Sequence, residues 1–288
     1  MSQSASISAA FDPDEAARRF VAARRNAEAL PGFPGPLPDD LAGGYACQDR
    51  AIALWPDAIV GWKVGRIPDE LQESLGATRV VGPVFSRTLI HAGAEPAVLP
   101  VIPGGFAAVE AEYIYRIGRD TPAGKAAWTP EEALDVVDAE FVGVEFAASP
   151  LATINILGPL AVASDLGNNA ALILGPEIPG WRARTDGGPV CQVFIDEAHV
   201  GTGSPASIPG GPAASLAILL GLVAERGYPL KKGQYVTTGA ASGIHDIEAG
   251  QTARITFGEL GEIRCLAVPA RPGRSSGGSA KDDDHDVP

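Results

Sequence analysis

Cysteine is scarce in this 288-residue chain: Cys47, Cys191 and Cys265 lie far apart, with no C-x-x-C spacing. An odd, scattered set excludes a disulfide framework and fits a reducing compartment. Basic residues are few as well, 22 Lys and Arg against 35 Asp and Glu, for a formal net charge of −13. That balance excludes nucleic acid as the main partner, because phosphate contacts need clustered Lys and Arg. Asp282, Asp283, Asp284 and Asp286 carry part of the charge, so the body is less acidic than the total. The most apolar run, 216–224, is about half the length that a bilayer-spanning helix needs. The first residues lack the basic and apolar regions of a signal peptide. The expectation is a cytoplasmic protein without a membrane partner.

Several catalytic signatures are missing too. No G-x-S-x-G elbow exists. Gly201-Thr202-Gly203-Ser204-Pro205-Ala206 matches part of a dinucleotide fingerprint, but it runs into Pro209-Gly210-Gly211 instead of opening a helix, which excludes nucleotide binding. His91, His199, His245 and His285 are scattered without ligand spacing, and no internal repeat is present.

What is present is a chain long enough to bury roughly 75% of its unfolded surface. An apolar fraction of 45% and a charged fraction of 20% are ordinary for a globular enzyme. Residues 1–11 read as a loose arm. Asp12 is placed to cap a helix, with Pro13 at its first position and Glu15 completing a capping box. Pro31, Pro34, Pro36 and Pro38 separate this helix from a second over 39–55. Beyond it, short apolar runs divided by Gly and Pro predict strands at 59–64, 79–85, 107–117, 140–147, 190–197, 234–238, 252–257 and 262–268. One late helix is expected over 212–226, with Gly227 and Pro229 past its end. The fold class is α+β. The chain divides into the arm (1–11), a helical segment (12–58), a β-rich catalytic domain (59–268) and a disordered acidic tail (269–288).

The chemistry concentrates in two strands. Glu110 and Glu112 interrupt Val109-Glu110-Ala111-Glu112-Tyr113-Ile114-Tyr115, and Glu145 interrupts Phe141-Val142-Gly143-Val144-Glu145-Phe146. Strand side chains alternate, so 110 and 112 share a face. Two carboxylates in a buried segment repel one another and lose solvation, and a divalent cation relieves both problems. Three carboxylates suit Mg²⁺ or Mn²⁺ better than zinc. The same alternation also fits a solvated face, with Val109, Ala111 and Tyr113 turned to the core.

Lys63 lies in Ile59-Val60-Gly61-Trp62-Lys63-Val64-Gly65. It is either an acid/base group tuned by burial or a lysine reaching solvent at a strand end. The loops Asp165-Leu166-Gly167-Asn168-Asn169 and Thr237-Thr238-Gly239-Ala240-Ala241-Ser242-Gly243 offer Asp165, Asn168, Asn169, Thr238 and Ser242 as candidate substrate contacts. Ordinary turn chemistry explains both loops equally.

The ordered set of motifs carries more than any one of them. Gly61-Trp62-Lys63-Val64-Gly65, Glu110-Ala111-Glu112, Val144-Glu145, Ser164-Asp165, Gly203, Gly211-Pro212, Arg226-Gly227-Tyr228-Pro229-Leu230-Lys231-Lys232-Gly233 and Thr238-Gly239 follow one another. This order resembles the 2-keto-4-pentenoate hydratase and 4-oxalocrotonate decarboxylase branch of the fumarylacetoacetate hydrolase superfamily, over about residues 14–268. The resemblance implies a mixed β-roll or barrel core with N-terminal helices and a metal at one mouth, in a homo-oligomer. It implies Glu110, Glu112 and Glu145 as ligands of Mg²⁺ or Mn²⁺, with Lys63 beside the substrate. The substrate would be a short 2-oxo acid that chelates the metal through its C1 carboxylate and C2 oxygen.

Departures fall around those ligands. The family's Asp-Ser-Arg after the third glutamate is Ala148-Ser149-Pro150 here, and its Ser-Leu-Thr-Gly loop is Ala240-Ala241-Ser242-Gly243. The leading expectation is a metal-dependent hydratase of a 2-oxo-4-enoate or its dienol, in aromatic-compound catabolism. Two alternatives stand beside it. One is a 2-oxo-enedioate decarboxylase or acylpyruvate hydrolase at the same metal. The other is a non-catalytic 2-oxo-acid-binding subunit, in complex with a related decarboxylase.

Overall fold

The computed structural model describes residues 10–184 and 187–273. Most of the expected arm and tail therefore lies outside the described residues. The described part of the tail is tied down: Ala270 N–H donates to Val101 O at 2.8 Å and Gly273 N–H to Arg25 O at 3.0 Å.

The strands, in chain order, are β1 (Ile59–Arg66), β2 (Arg79–Phe85), β3 (Leu89–His91), β4 (Ala97–Val101), β5 (Phe106–Ile117), β6 (Val137–Ser149), β7 (Asn169–Glu177), β8 (Cys191–Ile195), β9 (Ala198–Gly203), β10 (Tyr235–Thr237), β11 (His245–Asp246), β12 (Thr252–Thr256) and β13 (Glu262–Pro269). The larger sheet runs β2-β1-β10-β5-β6-β7-β3, with β11 also on β5, and mixes parallel with antiparallel pairs. The second sheet runs β4-β13-β12-β8-β9. Val84 of β2 clusters with Leu172 and Leu174 of β7, so nearly opposite ends of the larger sheet meet and it curls into a half-barrel.

The two faces of this sheet have different work. Val109, Ala111 and Tyr113 of β5 and Val142, Val144 and Phe146 of β6 pack against Val193, Ile255 and Ile263 of the second sheet. The alternate residues of β5 and β6, the glutamates among them, therefore point into the curl. The core-facing set is the one that alternation assigned. The opposite face meets the inside of the roll and not water.

The helices are α1 (Pro13–Asn26), α2 (Leu41–Leu54), α3 (Asp69–Leu75), α4 (Pro130–Leu134), α5 (Ile154–Leu157), α6 (Pro159–Ser164) and α7 (Gly211–Glu225). Asp12 caps α1 as expected, accepting from Asp14 N–H at 3.0 Å and Glu15 N–H at 3.1 Å. The capping box does not close: Glu15 instead accepts from Arg18 at 3.0 Å, one turn on along an exposed face. Phe20, Ala16 and Ala17 bury α1 against Cys47 and Ala51 of α2. Past the end of α7, the Arg226 guanidinium lies 4.2 Å from the Tyr45 ring centroid and 5.6 Å from that of Trp62. It also pairs with Asp49 at 2.5 Å. This motif therefore fixes β1, and with it Lys63, against the helices.

Strands β3, β4, β7, β9 and β11 were not expected, and β3 and β11 are only three and two residues long. β9 shows no apolar alternation because it is an edge strand with most residues exposed. β4 and β7 carry Pro100 and Pro176, which mask their apolar runs.

One close approach positions the site. A Cβ on Gly82 would lie 2.2 Å from Leu166 O, so the 165–169 loop rests on bare backbone of β2. Gly82→Ala is expected to cost about 1–3 kcal/mol, lowering Tm by several degrees in calorimetry.

Candidate metal centre

β5 and β6 form a long antiparallel pair whose register sets Glu110 directly opposite Glu145, with Glu112 opposite Gly143. Side chains so paired sit close, and like charges placed there destabilise the pair. One carboxylate oxygen from each of Glu110, Glu112 and Glu145 lies within 4.8 Å of the other two. Glu112 and Glu145 are fully buried and Glu110 is 6% exposed.

The strand between β1 and β5 makes room for the fourth charged group. β10 ends at Thr237, and the chain then departs from the regular ladder while Thr238 and Ala241 N–H still donate to Tyr113 O and Ala111 O of β5. Gly239 N–H turns inward to donate to Glu112 Oε2 at 2.8 Å. Lys63, one strand further out on β1, reaches Glu145 Oε1 with its Nζ at 3.2 Å. Asn169 Nδ2 donates to the same oxygen at 3.0 Å. Among the described residues no donor reaches Glu112 Oε1 or Glu145 Oε2, although both are buried.

The electrostatics follow from burial. Glu110 is pushed up to about 8, first by loss of solvent and then by the Glu145 charge, with Lys63 opposing. Glu112 rises well above the carboxylate range, through burial and then through Glu145 and Glu110. Burial alone would lower the Lys63 ammonium, but Glu145, Glu110 and Glu112 outweigh it and the net shift is upward. Three carboxylates thus share one ammonium. All-oxygen donors, excess negative charge and two unpartnered buried oxygens fit a hard divalent cation.

A cleft opens beside Lys63 and Glu110, lined also by Asn168, Thr238, Arg79, Ile208 and Ile244. The five candidate substrate contacts separate here. Asn168 faces the cleft with a buried, unpartnered Oδ1. Thr238 lines it too, but its hydroxyl donates to Tyr113 O at 2.8 Å. Asn169 supports Glu145 and does not line the cleft. Asp165 is fully buried and turned away, paired with Arg24 at 2.7 Å and accepting from Ser149 Oγ at 2.6 Å. Ser242 lies outside the cleft lining, with its carbonyl 3.0 Å from His245 Nε2.

Two arginines were not singled out by the sequence. Arg79 binds main-chain carbonyls at the cleft edge, Pro209 O at 2.7 Å and Thr78 O at 3.0 Å. Arg24 donates to Ala148 O at 2.8 Å, so a guanidinium from α1 stands beside the 148–150 turn that lacks one of its own. The available signal for Arg24 was a charge on an apolar stripe: it follows Ala17 and Phe20 at helical spacing.

No family model matches this chain. Among solved structures it is similar to 4-oxalocrotonate decarboxylase from Pseudomonas putida G7, complexed with magnesium and adipate. The TM-score is 0.72 at 18% identity, covering 89% of this chain and 97% of that one. Fumarylpyruvate hydrolase from Pseudomonas aeruginosa, in complex with Mn²⁺ and pyruvate, superposes with a TM-score of 0.52 at 17% identity, covering 72% and 88%. A sequence relative, REH2-associated factor 2 of Trypanosoma brucei brucei, is 26% identical over 201 residues, 64% of this chain and 73% of that protein. The curled mixed sheet, the second sheet packed behind it and the flanking helices are the α+β fold of the fumarylacetoacetate hydrolase type.

Proposed function

We propose that this protein is a divalent-metal-dependent lyase of short 2-oxo acids, of the hydratase and decarboxylase branch, that hydrates a 2-oxo-4-enoate or its dienol in aromatic-compound catabolism. Glu110, Glu112 and Glu145 hold Mg²⁺ or Mn²⁺. The observation that carries this is the imbalance of three buried carboxylates against one buried ammonium. The magnesium with adipate and the Mn²⁺ with pyruvate in the two structural neighbours support it.

Bound there, the cation supplies Lewis-acid stabilisation of the negative charge that develops on a 2-oxo group. The chain's own groups do the rest. Lys63 Nζ, at the cleft and tethered to Glu145, carries a proton to or from the substrate carbon chain, or holds its carboxylate. The free Asn168 Oδ1 accepts a hydrogen bond from a substrate hydroxyl or the attacking water. Ile208, Ile244 and Val162 wall the cleft and limit solvent around the reacting carbons.

Arg79 favours a second reaction at the same centre. It is 6% exposed, lines the cleft, and has no carboxylate partner among the described residues. Burial and the Arg66 charge lower its pKa. A distal substrate carboxylate would satisfy it, as in a 2-oxo-enedioate undergoing decarboxylation. The trypanosome relative, named as a factor associated with another protein, favours a third reading, a 2-oxo-acid-binding partner subunit. Homo-oligomeric assembly and cytoplasmic residence belong to the same proposal. No helix of the described residues is long and apolar enough to cross a membrane, and all three cysteines are free and buried.

The test is the purified chain with Mg²⁺ and two substrates, 2-hydroxypenta-2,4-dienoate and a 2-oxo-enedioate. Loss of dienol absorbance without CO₂ supports hydration, and CO₂ release supports decarboxylation. A flat trace with oxalate still bound supports the partner subunit. Retention of both metal binding and turnover in the Glu110→Ala, Glu112→Ala double variant would overturn the metal mechanism.

A further inference from the structure

Arg24 is the one charged side chain of α1 drawn into the protein. Its side chain is 8% exposed, and that of its partner Asp165 is fully buried. Five contacts hold it. Nε donates to Asp165 Oδ1 at 2.7 Å and Nη2 to Asp165 Oδ2 at 3.0 Å, a bidentate fork. The same guanidinium donates to three main-chain carbonyls, Ala148 O at 2.8 Å, Asn169 O at 3.2 Å and Asp165 O at 3.3 Å. It therefore grips the end of β6 and both ends of the 165–169 loop at once.

That loop needs a grip. Leu166, Gly167 and Asn168 have φ of 52°, 68° and 62°, three left-handed residues in succession, two of which carry a Cβ. Such residues are costly outside glycine and persist only where their surroundings over-determine them. The conformation has a result at the centre: Asn168 faces the cleft, and Asn169 places its amide 3.0 Å from Glu145 Oε1. A continuous path thus runs from the Arg24 guanidinium through the Asn169 main chain to a carboxylate of the cradle. Arg24 itself does not line the cleft.

We propose that Arg24 is a positioning residue of the metal centre: the N-terminal helix, which contributes no ligand, fixes the orientation of Glu145 through the 165–169 loop. This rests on the metal reading above. Groups that orient a metal ligand from behind change affinity or activity by about 10- to 100-fold when removed.

The test uses Mn²⁺ affinity of the full chain, read by titration and independent of turnover. Arg24→Met alone would strand the buried Asp165 charge and endanger the fold, so it is paired with Arg24→Met/Asp165→Asn, which removes both charges. Phe20→Leu is the control, because it loosens the same helix and the cluster that Phe20 shares with Leu166 while leaving the guanidinium and its acceptors in place. The double variant is expected to bind Mn²⁺ about 10- to 100-fold more weakly at a temperature well below its Tm. Arg24→Lys, which keeps the charge but loses the fork, should fall between it and wild type. Phe20→Leu should lower Tm and keep wild-type affinity. Wild-type affinity in the double variant, or equal weakening in Phe20→Leu, overturns the positioning role alone. A wild-type chain that binds no Mn²⁺ overturns the metal reading and this role with it.

Discussion

Glu112→Gln is expected to weaken Mn²⁺ binding by more than about 100-fold, beyond the loss from an outer-shell partner, and to abolish turnover. It is also expected to raise the Tm of the metal-free protein at alkaline pH, where burial no longer keeps Glu112 protonated. The opposite signs have one cause. Glu112 is fully buried and its Oε2 accepts from Gly239 N–H at 2.8 Å, a bond that the glutamine carbonyl can keep. Its other oxygen has no donor and faces the remaining carboxylates. Two unit charges about 4 Å apart repel by roughly 4 kcal/mol at an effective dielectric near 20, and the variant recovers whatever part protonation has not already relieved. Each recovered kcal/mol raises Tm by about 2–4 °C in a chain of comparable size. An ordinary core residue behaves differently, since its polar replacement lowers stability with or without metal. Isothermal titration with Mn²⁺ and calorimetry in a chelator give the two readouts. A Tm that falls in the chelator would mean that Glu112 is a packed core residue and not one of three mutually repelling charges.

Without metal, the protein is expected to lose stability as pH rises, and saturating Mg²⁺ is expected to remove the share of that loss that the cradle contributes. Glu110 is held up to about 8 and Glu140 up to about 7, each chiefly by burial. Glu112 is raised well above the usual carboxylate range. A folded pKa above the unfolded one means that the native state binds more protons between the two values. The stabilisation is complete below the unfolded carboxylate value of about 4.3 and is lost as pH climbs through the folded value. Within that window each such group contributes a slope of about 1.4 kcal/mol per pH unit. Lys63, raised from an already high value, stays protonated throughout and adds nothing there. A bound divalent cation keeps the cradle carboxylates ionised, so metal binding below about pH 8 must release protons. Calorimetry at about pH 5.5 and 8.5, in chelator and in excess Mg²⁺, reads the difference. A metal-free stability that climbs across this range would mean that the glutamates are ionised in the native protein.

The glutamate cradle was legible because two rules converge on it. Period-2 alternation places Glu110 and Glu112 on one face, and two long apolar runs predict adjacent strands. The register that sets Glu145 opposite Glu110 is a pairing fact, which a single sequence does not contain. Alternation also misled, because it equates the face away from the core with solvent. In a curled sheet that face is a second interior. The polar loops show the opposite limit. Asp165 and Asn169 have the right chemistry for a substrate, yet one is spent on Arg24 and the other on Glu145. Both partners are distant in sequence, 141 residues away for Arg24 and 24 for Glu145. Short elements such as α5, α6 and β11 carry too few residues for any periodicity to register.

The separation of Arg24 from Asp165 also sets an order of assembly. β5 and β6 are consecutive and antiparallel, so the three carboxylates can be brought together by a local hairpin. The clamp from α1 must close a loop of 141 residues, and that closure carries its entropy cost before any contact rewards it. The cradle is therefore expected to form first, as a crowd of like charges, with its outer brace arriving late. A refolding chain should gather the ligands before it can hold a metal tightly, and divalent cation present from the start should speed the early step by screening the repulsion between the hairpin strands. Synthesis from the N-terminus does not reverse this order, because α1 leaves the ribosome long before the loop that it grips.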